Sequence, residues 1–185
     1  MSIGAEVPRD RAKRLLTGRG RFVDDIQLPR MLHLAFVRSP YAHARIEAID
    51  TAGAISMPGV IAVYTAKELE DAVSSWRPEH KLFPTMAAPE QHALAKETAR
   101  WQGEAVAAVV AESRAQAEDA AEHVAVTWHE LPAVTDAKAA LATDAAVLHD
   151  DMTTNLAFST EIVTGDVALA FRDAAHVVEE HFRFN

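Results

Sequence analysis

The sequence of 185 residues contains no cysteine. That excludes disulfides, thiolate-bound zinc and iron–sulfur clusters within the chain. Aromatic residues make up only 6% of it, against 49% hydrophobic residues overall, so Ala and Val carry most of the apolar content. Side chains this small suit helices packed closely on a sheet better than a large hollow pocket. Long apolar runs are also missing. The longest, at residues 105–111, falls far short of the ~20 residues that cross a bilayer as a helix. No charged-then-apolar leader opens the chain, which makes the cytoplasm the default compartment. Positive charge is scarce, and the net charge is −9. Phosphate backbones and anionic lipid are therefore not expected partners. Basic residues do gather between positions 9 and 30, but Asp24 and Asp25 interrupt them. That cluster reads as a solvated or partner-facing segment.

What is present reads as one α+β module: an N-terminal arm over residues 1–16, then a domain over 17–185. A first strand is expected near Arg21. Residues 31–37 (M-L-H-L-A-F-V) form a stronger strand candidate, stopped by Ser39-Pro40, and 44–49 alternates as its possible neighbour. Pro58-Gly59 signals a turn into a short apolar run at 60–64. Thr65 and Glu68 are spaced as a capping box, with a helix expected to about residue 73. Residues 74–97, punctuated by Pro78, Pro84 and Pro89, read as an irregular excursion of the kind that lies against something. The apolar run at 105–111 fits a strand buried on both faces. Ser113 and Gln116 form a second capping box, and the helix that follows places Ala117, Ala120, Ala121 and Val124 on one face. Arg114 and Glu118 make a favourable i, i+4 pair on the other. Strands are expected at 124–128, 157–163 and 177–184, with helices near 136–141 and after an Asp166 cap, the latter turning Val167, Ala170, Phe171 and Ala174 inward. The expected architecture is a mixed sheet with short Ala-rich helices packed on it.

No catalytic constellation emerges from the residues. Gly18-Arg-Gly20 lacks the third glycine and the preceding strand of a dinucleotide loop, and reads as a turn. None of the nine histidines has zinc spacing, and His176 and His181 fall on opposite sides of a strand. The acid pairs Asp24-Asp25 and Asp150-Asp151 are neighbours that point apart, which suits solvated loops better than acid–base work. Ser39, Ser56 and Ser159 have no nucleophile-elbow context. The residues alone describe a module without its own active site, with no catalytic, cofactor-binding or metal-ligating residue assigned.

Four ordered blocks add a resemblance. Leu16-Thr-Gly-Arg-Gly-Arg-Phe-Val-Asp-Asp-Ile26 is similar to the opening of large subunits in the xanthine dehydrogenase and aldehyde oxidase family, above all the carbon monoxide dehydrogenase-like large chains. His33-Leu-Ala-Phe-Val-Arg-Ser-Pro-Tyr-Ala-His-Ala-Arg-Ile46 resembles a second block and Pro58-Gly-Val-Ile-Ala-Val-Tyr-Thr65 a third. Gly103-Glu-Ala-Val-Ala-Ala-Val-Val-Ala-Glu112, followed by Ala117-Glu-Asp-Ala-Ala121 and Leu131-Pro-Ala-Val134, resembles the fourth. Family members often carry Val and Pro where this chain has Gln102 and Ala105, and the 74–97 stretch aligns poorly. The resemblance implies an a/b hammerhead domain, with the molybdopterin-binding region of the large subunit absent from these residues. It also implies iron–sulfur and flavin groups on partner subunits or domains, and no cofactor in this chain. A family chain would continue past Asn185 into the catalytic region, so the resemblance implies an expressed fragment or a split subunit. The implied function is a module of a molybdenum hydroxylase, inactive alone; the alternative is a scaffold or interaction module that retains the fold. Arg38, Ser39 and His43 at one strand end, and Gly103 and Glu104 before another strand, are the candidate interdomain contacts.

Overall fold

The computed structural model describes residues 3, 4, 9, 11–83 and 86–182. Among these residues six strands form two separate three-stranded sheets: β1 (His33–Arg38), β2 (Ala44–Asp50), β3 (Val60–Thr65), β4 (Thr98–Ala99), β5 (Ala105–Ala111) and β6 (Ala125–Glu130). The first sheet runs β1-β5-β3 and the second β4-β2-β6, and every pairing is antiparallel. The α+β hammerhead reading stands, with two antiparallel sheets in place of one mixed sheet. The strand expected at 44–49 is present, but its neighbours are β4 and β6 and not β1.

The core lies where α4 (Arg114–Ala121) and α2 (Ala52–Ile55) cover the first sheet and where the second sheet packs beside it. Ala117 and Ala120 of α4 are fully buried, together with Val109 and Ala107 of β5 and Ala54 of α2. Because the helix face is Ala, nothing longer than a methyl separates the helix from the strands, so packing can be close. Ala95, Ala99 and Val106 form a second cluster between the sheets, bordered by Ile46, Ile49, Val126 and Trp128.

Side-chain alternation along β1 turns His33, Ala35 and Val37 inward and leaves Leu34 and Phe36 on the open face, 52% and 44% exposed. Leu34 and Phe36 lie opposite Val110 and Ala108, and Tyr64 of β3 lies opposite Ala108. One end of the first sheet therefore shows an apolar face to solvent.

Both caps form, the first as a full capping box and the second without its return bond to the backbone N–H. Thr65 accepts from the Lys67 N–H, and the Glu68 carboxylate accepts from the Thr65 N–H at 2.7 Å. The helix is short, α3 (Ala66–Leu69), with turns continuing to residue 73. Ser113 caps α4 by accepting from Gln116 N–H, but the Gln116 amide returns to the Ser113 hydroxyl and not to its N–H. Arg114 and Glu118 pair at 2.8 Å.

Several expected elements are absent. Near Arg21 there is no strand, only a single 3-10 turn at Val23–Asp25, after a short exposed helix α1 (Ala12–Leu16). The helix expected at 136–141 shrinks to a 3-10 turn, Ala139–Leu141. Residues 157–163 and 177–182 form no strand; residues 183–184 lie outside the described residues. A strand needs a hydrogen-bonded neighbour along its length; among the described residues 157–163 has one such backbone contact, at Ala157, and 177–182 has none. Asp166 does cap α5 (Val167–Asp173), accepting from Leu169 N–H at 2.8 Å. The inward face expected for α5 is not realised: Val167 is 50% and Phe171 62% exposed.

The 74–97 excursion folds onto residues 150–158. Phe83 stacks on Phe158 with ring centroids 4.2 Å apart, Arg77 pairs with Asp151 at 2.8 Å, and Ala87 N–H donates to Ala157 O at 2.8 Å. Trp76 and Gln91 close the neck of the excursion with an antiparallel bridge.

Candidate functional site

Successive strands alternate between the two sheets, so every connection crosses from one to the other, and two of these links run side by side. The link from β1 to β2 is residues 39–43, and the link from β4 to β5 is residues 100–104. Their backbones are tied together: Ser39 N–H donates to Glu104 O and Gly103 N–H donates to Ser39 O, each at 2.8 Å. The Arg38 guanidinium donates to Gly103 O at 2.8 Å and lies over the Phe36 ring, 5.2 Å from its centroid. A third strand end joins the crossing, where Leu131 N–H donates to His43 O and His43 Nδ1 lies 2.8 Å from Pro132 O. The structure thus places Arg38, Ser39, His43, Gly103 and Glu104, drawn from two distant parts of the sequence, around a single crossing.

The chemistry of the crossing is already engaged internally. Ser39 is buried, and its hydroxyl accepts from Tyr41 N–H while donating to Tyr41 O at 2.9 Å. That closed loop leaves no basic partner to activate the oxygen as a nucleophile. His43 is buried, with Nδ1 turned to a carbonyl. Gly103 takes φ +92°, a conformation that permits the tight return into β5 and that L side chains rarely adopt.

Glu104 opens onto a shallow cavity of about 160 Å³ whose lining includes Thr98, Arg100, Trp101 and His149. Its carboxylate accepts from Arg100 N–H. Burial raises its pKa above the usual carboxylate value, against the lowering effect of that hydrogen bond and of the Arg100 charge. Arg100 itself is spent on Leu148 O at 2.9 Å and Asp150 at 3.3 Å, which pins the 148–150 loop over the crossing. Burial, then the Arg100 charge, push the His149 pKa down. Arg100 and His149 were not legible as members of the site. Arg100 stands beside Glu104 in sequence without any motif, and His149 arrives from a loop 45 residues further on. Asp150, weighed as half of an acid pair, serves as the exposed partner of Arg100, and Asp151 turns away to Arg77. Among the described residues, no group of three His, Asp or Glu side chains converges on a metal-sized site.

The comparisons with known proteins agree with this architecture. Residues 17–132 match the family described as aldehyde oxidase and xanthine dehydrogenase, a/b hammerhead domain. The nicotine 6-hydroxylase large subunit of Paenarthrobacter nicotinovorans is 40% identical over 95% of this chain and 21% of its own length. The carbon monoxide dehydrogenase large chain of Hydrogenophaga pseudoflava is 43% identical over 78% of this chain and 18% of its own. Among solved structures, quinoline 2-oxidoreductase from Pseudomonas putida 86 superposes with a TM-score of 0.81 at 41% identity, covering 95% of this chain and 22% of that one. The chain therefore spans about a fifth of the length of the relatives it matches. With the match over residues 17–132 and the fold shared with that structure, the chain belongs to the aldehyde oxidase and xanthine dehydrogenase family and carries its a/b hammerhead domain.

Proposed function

We propose that this chain is the non-catalytic junction module of a molybdenum hydroxylase large subunit, and that it packs against the molybdopterin-binding region at the sheet crossing. One observation carries the reading. The polar groups at the crossing are committed to backbone and loop contacts, so the site holds chain segments together and leaves no acid–base pair to act on a substrate. The same groups do not fit a molybdopterin. The Arg100 donors are satisfied within the chain, and the adjoining cavity is too shallow to bury a pterin and its phosphate. The cofactor and its chemistry belong to the larger body against which this module lies.

For the assembly, the favoured activity is hydroxylation of an electron-poor carbon in an N-heteroaromatic ring. The support is that the nicotine 6-hydroxylase and quinoline 2-oxidoreductase matches combine 95% coverage of this chain with 40% and 41% identity, whereas the matched carbon monoxide dehydrogenases cover 78% and 83% of it and an aldehyde oxidoreductase that covers 97% is 35% identical. In such a reaction a ring C–H becomes C–OH with oxygen from water, and two protons and two electrons leave. Iron–sulfur and flavin groups on partner subunits would accept the electrons.

The test is purification of the chain from its native cell with metal analysis of whatever accompanies it. Stoichiometric molybdenum in a complex that reduces a dye with quinoline or nicotine, and none of either in the isolated chain, is the expected result. A chain that purifies without a molybdenum-containing partner refutes the reading and leaves a scaffold.

A further inference from the structure

Arg100 grips the chain on both sides of one histidine. Its guanidinium donates to Leu148 O at 2.9 Å and pairs with Asp150 at 3.3 Å. The ring between them, His149, is therefore held against a fixed positive charge, in the wall of the cavity onto which Glu104 opens. The surrounding stretch is a preformed strap. The Asn155 side-chain oxygen accepts from Leu148 N–H at 3.0 Å, and its amide donates to Ala140 O and Ala146 O. A second tie fastens the strap to the excursion, where Asp151 pairs with Arg77 at 2.8 Å and accepts from Glu90 N–H. The charges around His149 are unevenly placed. Asp150 and Asp151 favour a protonated imidazole, but both are spent on arginines. Arg100 and the buried His43 oppose it. The excursion and its exit bring Glu90, His92, Lys96 and Glu97 to the same cavity, and the link into β5 brings Glu104. Of these, Glu90 is engaged with Ser75, Lys96 with Glu70, and Glu104 with Arg100 N–H.

We propose that residues 146–155 are an acid-released strap: protonation of His149 sets a second positive charge against Arg100, the guanidinium lets go of Leu148 and Asp150, and the cavity over Glu104 opens. The device is intrinsic to the chain and does not depend on the assembly it joins. Its sign follows from the geometry. In the closed strap, burial and then the Arg100 charge hold the His149 pKa below the usual 6.5; in the lifted strap the ring meets water and regains its ordinary affinity. Closure is therefore fully favoured above about pH 6.5 and is lost as pH falls below it. The second tie survives the same change, because the Arg77 hydrogen bond holds the Asp151 carboxyl below its usual 3.8. It serves as the hinge. Glu104 acts in the opposite direction. Burial raises its pKa, so a lifted strap that hydrates the carboxyl would be favoured as pH rises. The direction of the response thus identifies the group responsible.

Because the chain has no cysteine, two introduced ones are its sole thiol labelling sites. Spin labels on Ala146→Cys in the strap and Glu122→Cys just past α4, both exposed positions, report the distance from strap to body in the full chain by pulsed electron paramagnetic resonance. From about pH 7.5 to about pH 5, a longer and broader distance population should grow at the expense of the closed one. The ratio of open to closed should rise about threefold or more, and by no more than about tenfold for each pH unit below 6.5, the limit for one proton. The ratio should stay constant in His149→Gln and still rise in Glu104→Gln. A ratio that is constant in the labelled parent, or that rises equally in His149→Gln, overturns the proposal. A ratio that falls on acidification assigns the response to Glu104 and overturns it as well. Proton NMR of the His149 ring gives a second reading that needs no label. Its titration midpoint should lie below 6.5 and move up in Arg100→Gln, where the neighbouring charge is gone. A midpoint at or above 6.5 in the unaltered chain removes the driving force and sinks the strap.

Discussion

At the residue scale the crossing of the two sheets sets the sharpest expectations. Ser39 satisfies both backbone groups of Tyr41 from a buried position. Ser39→Ala leaves both without that partner, and the cost of stranding buried polar groups is about 1–3 kcal/mol; chemical denaturation should show it as a lower midpoint at unchanged slope. Glu104 makes stability depend on pH. Its folded pKa lies above the ordinary value of 4.5 because burial disfavours the charged form. The stability it contributes is therefore complete below about pH 4.5 and is lost as pH rises through the folded pKa. Glu104→Gln removes that dependence, so the variant's stability relative to wild type should improve between pH 4 and pH 7 in urea titrations; a constant difference would show that the carboxyl is not desolvated. Gly59 gives a third test. It has φ +80°, and a Cβ there would meet the Gln116 amide at 2.2 Å. Gly59→Ala should lower the melting temperature, and Gln116→Ala should recover the steric part of the loss and leave the backbone part, a coupling that a double-mutant cycle reads directly.

Element by element, what held was whatever carried its own local signal. The Thr65 and Ser113 caps, the Arg114–Glu118 pair and the Ala face of α4 are short-range features. Each depends on residues within one or two turns, so spacing alone exposes them. The face has a measurable consequence. Ala120 is fully buried against the first sheet, so Ala120→Leu overpacks that interface at about 1–3 kcal/mol. Glu122, one residue past the helix and exposed, should tolerate Gln with almost no change in melting temperature. Elements with equally good local signals but no partner behaved differently. Residues 177–182 have strand composition and form no strand, and α5 has its cap but no surface for its apolar side. Local propensity proposes an element, whereas burial of its apolar side decides whether it joins a core.

For the whole molecule, the packed body ends near residue 132, and the following loop is pinned to it by Arg100, by the Arg77–Asp151 pair and by the Phe83–Phe158 stack. A chain stopped after Ser159 keeps all three of these ties. Its thermal midpoint should match that of the full chain to within about 2 °C, since nothing beyond that point is buried and a change of 1 kcal/mol moves a domain of this size by about 2–4 °C. A large drop would show that the residues after Ser159 fold back onto the module. The excursion makes a related point. It resembles a partner-facing loop in composition, yet Phe83 is spent on Phe158 of the same chain, so rapid cleavage near Arg77 is not expected while Asp151 holds that side chain. Cleavage should become fast in Asp151→Asn.

By itself the sequence determined the α+β class, the Ala-faced helix on a buried Ala and Val strand, the caps, and, through four ordered blocks, the family. It also singled out the five residues of the crossing, because strand ends and the glycine before β5 are visible locally. The tertiary structure alone decided that β1 and β2 belong to different sheets, that Leu34 and Phe36 face outward while Ala35 and Val37 face the helix, and that Arg100 brings His149 over Glu104. The physical reason is common to all three. Which strands pair, which face of a strand is covered and which loop reaches a distant arginine depend on contacts between residues far apart in the chain, and a period of two along a strand says only that its faces differ, not which of them will be buried.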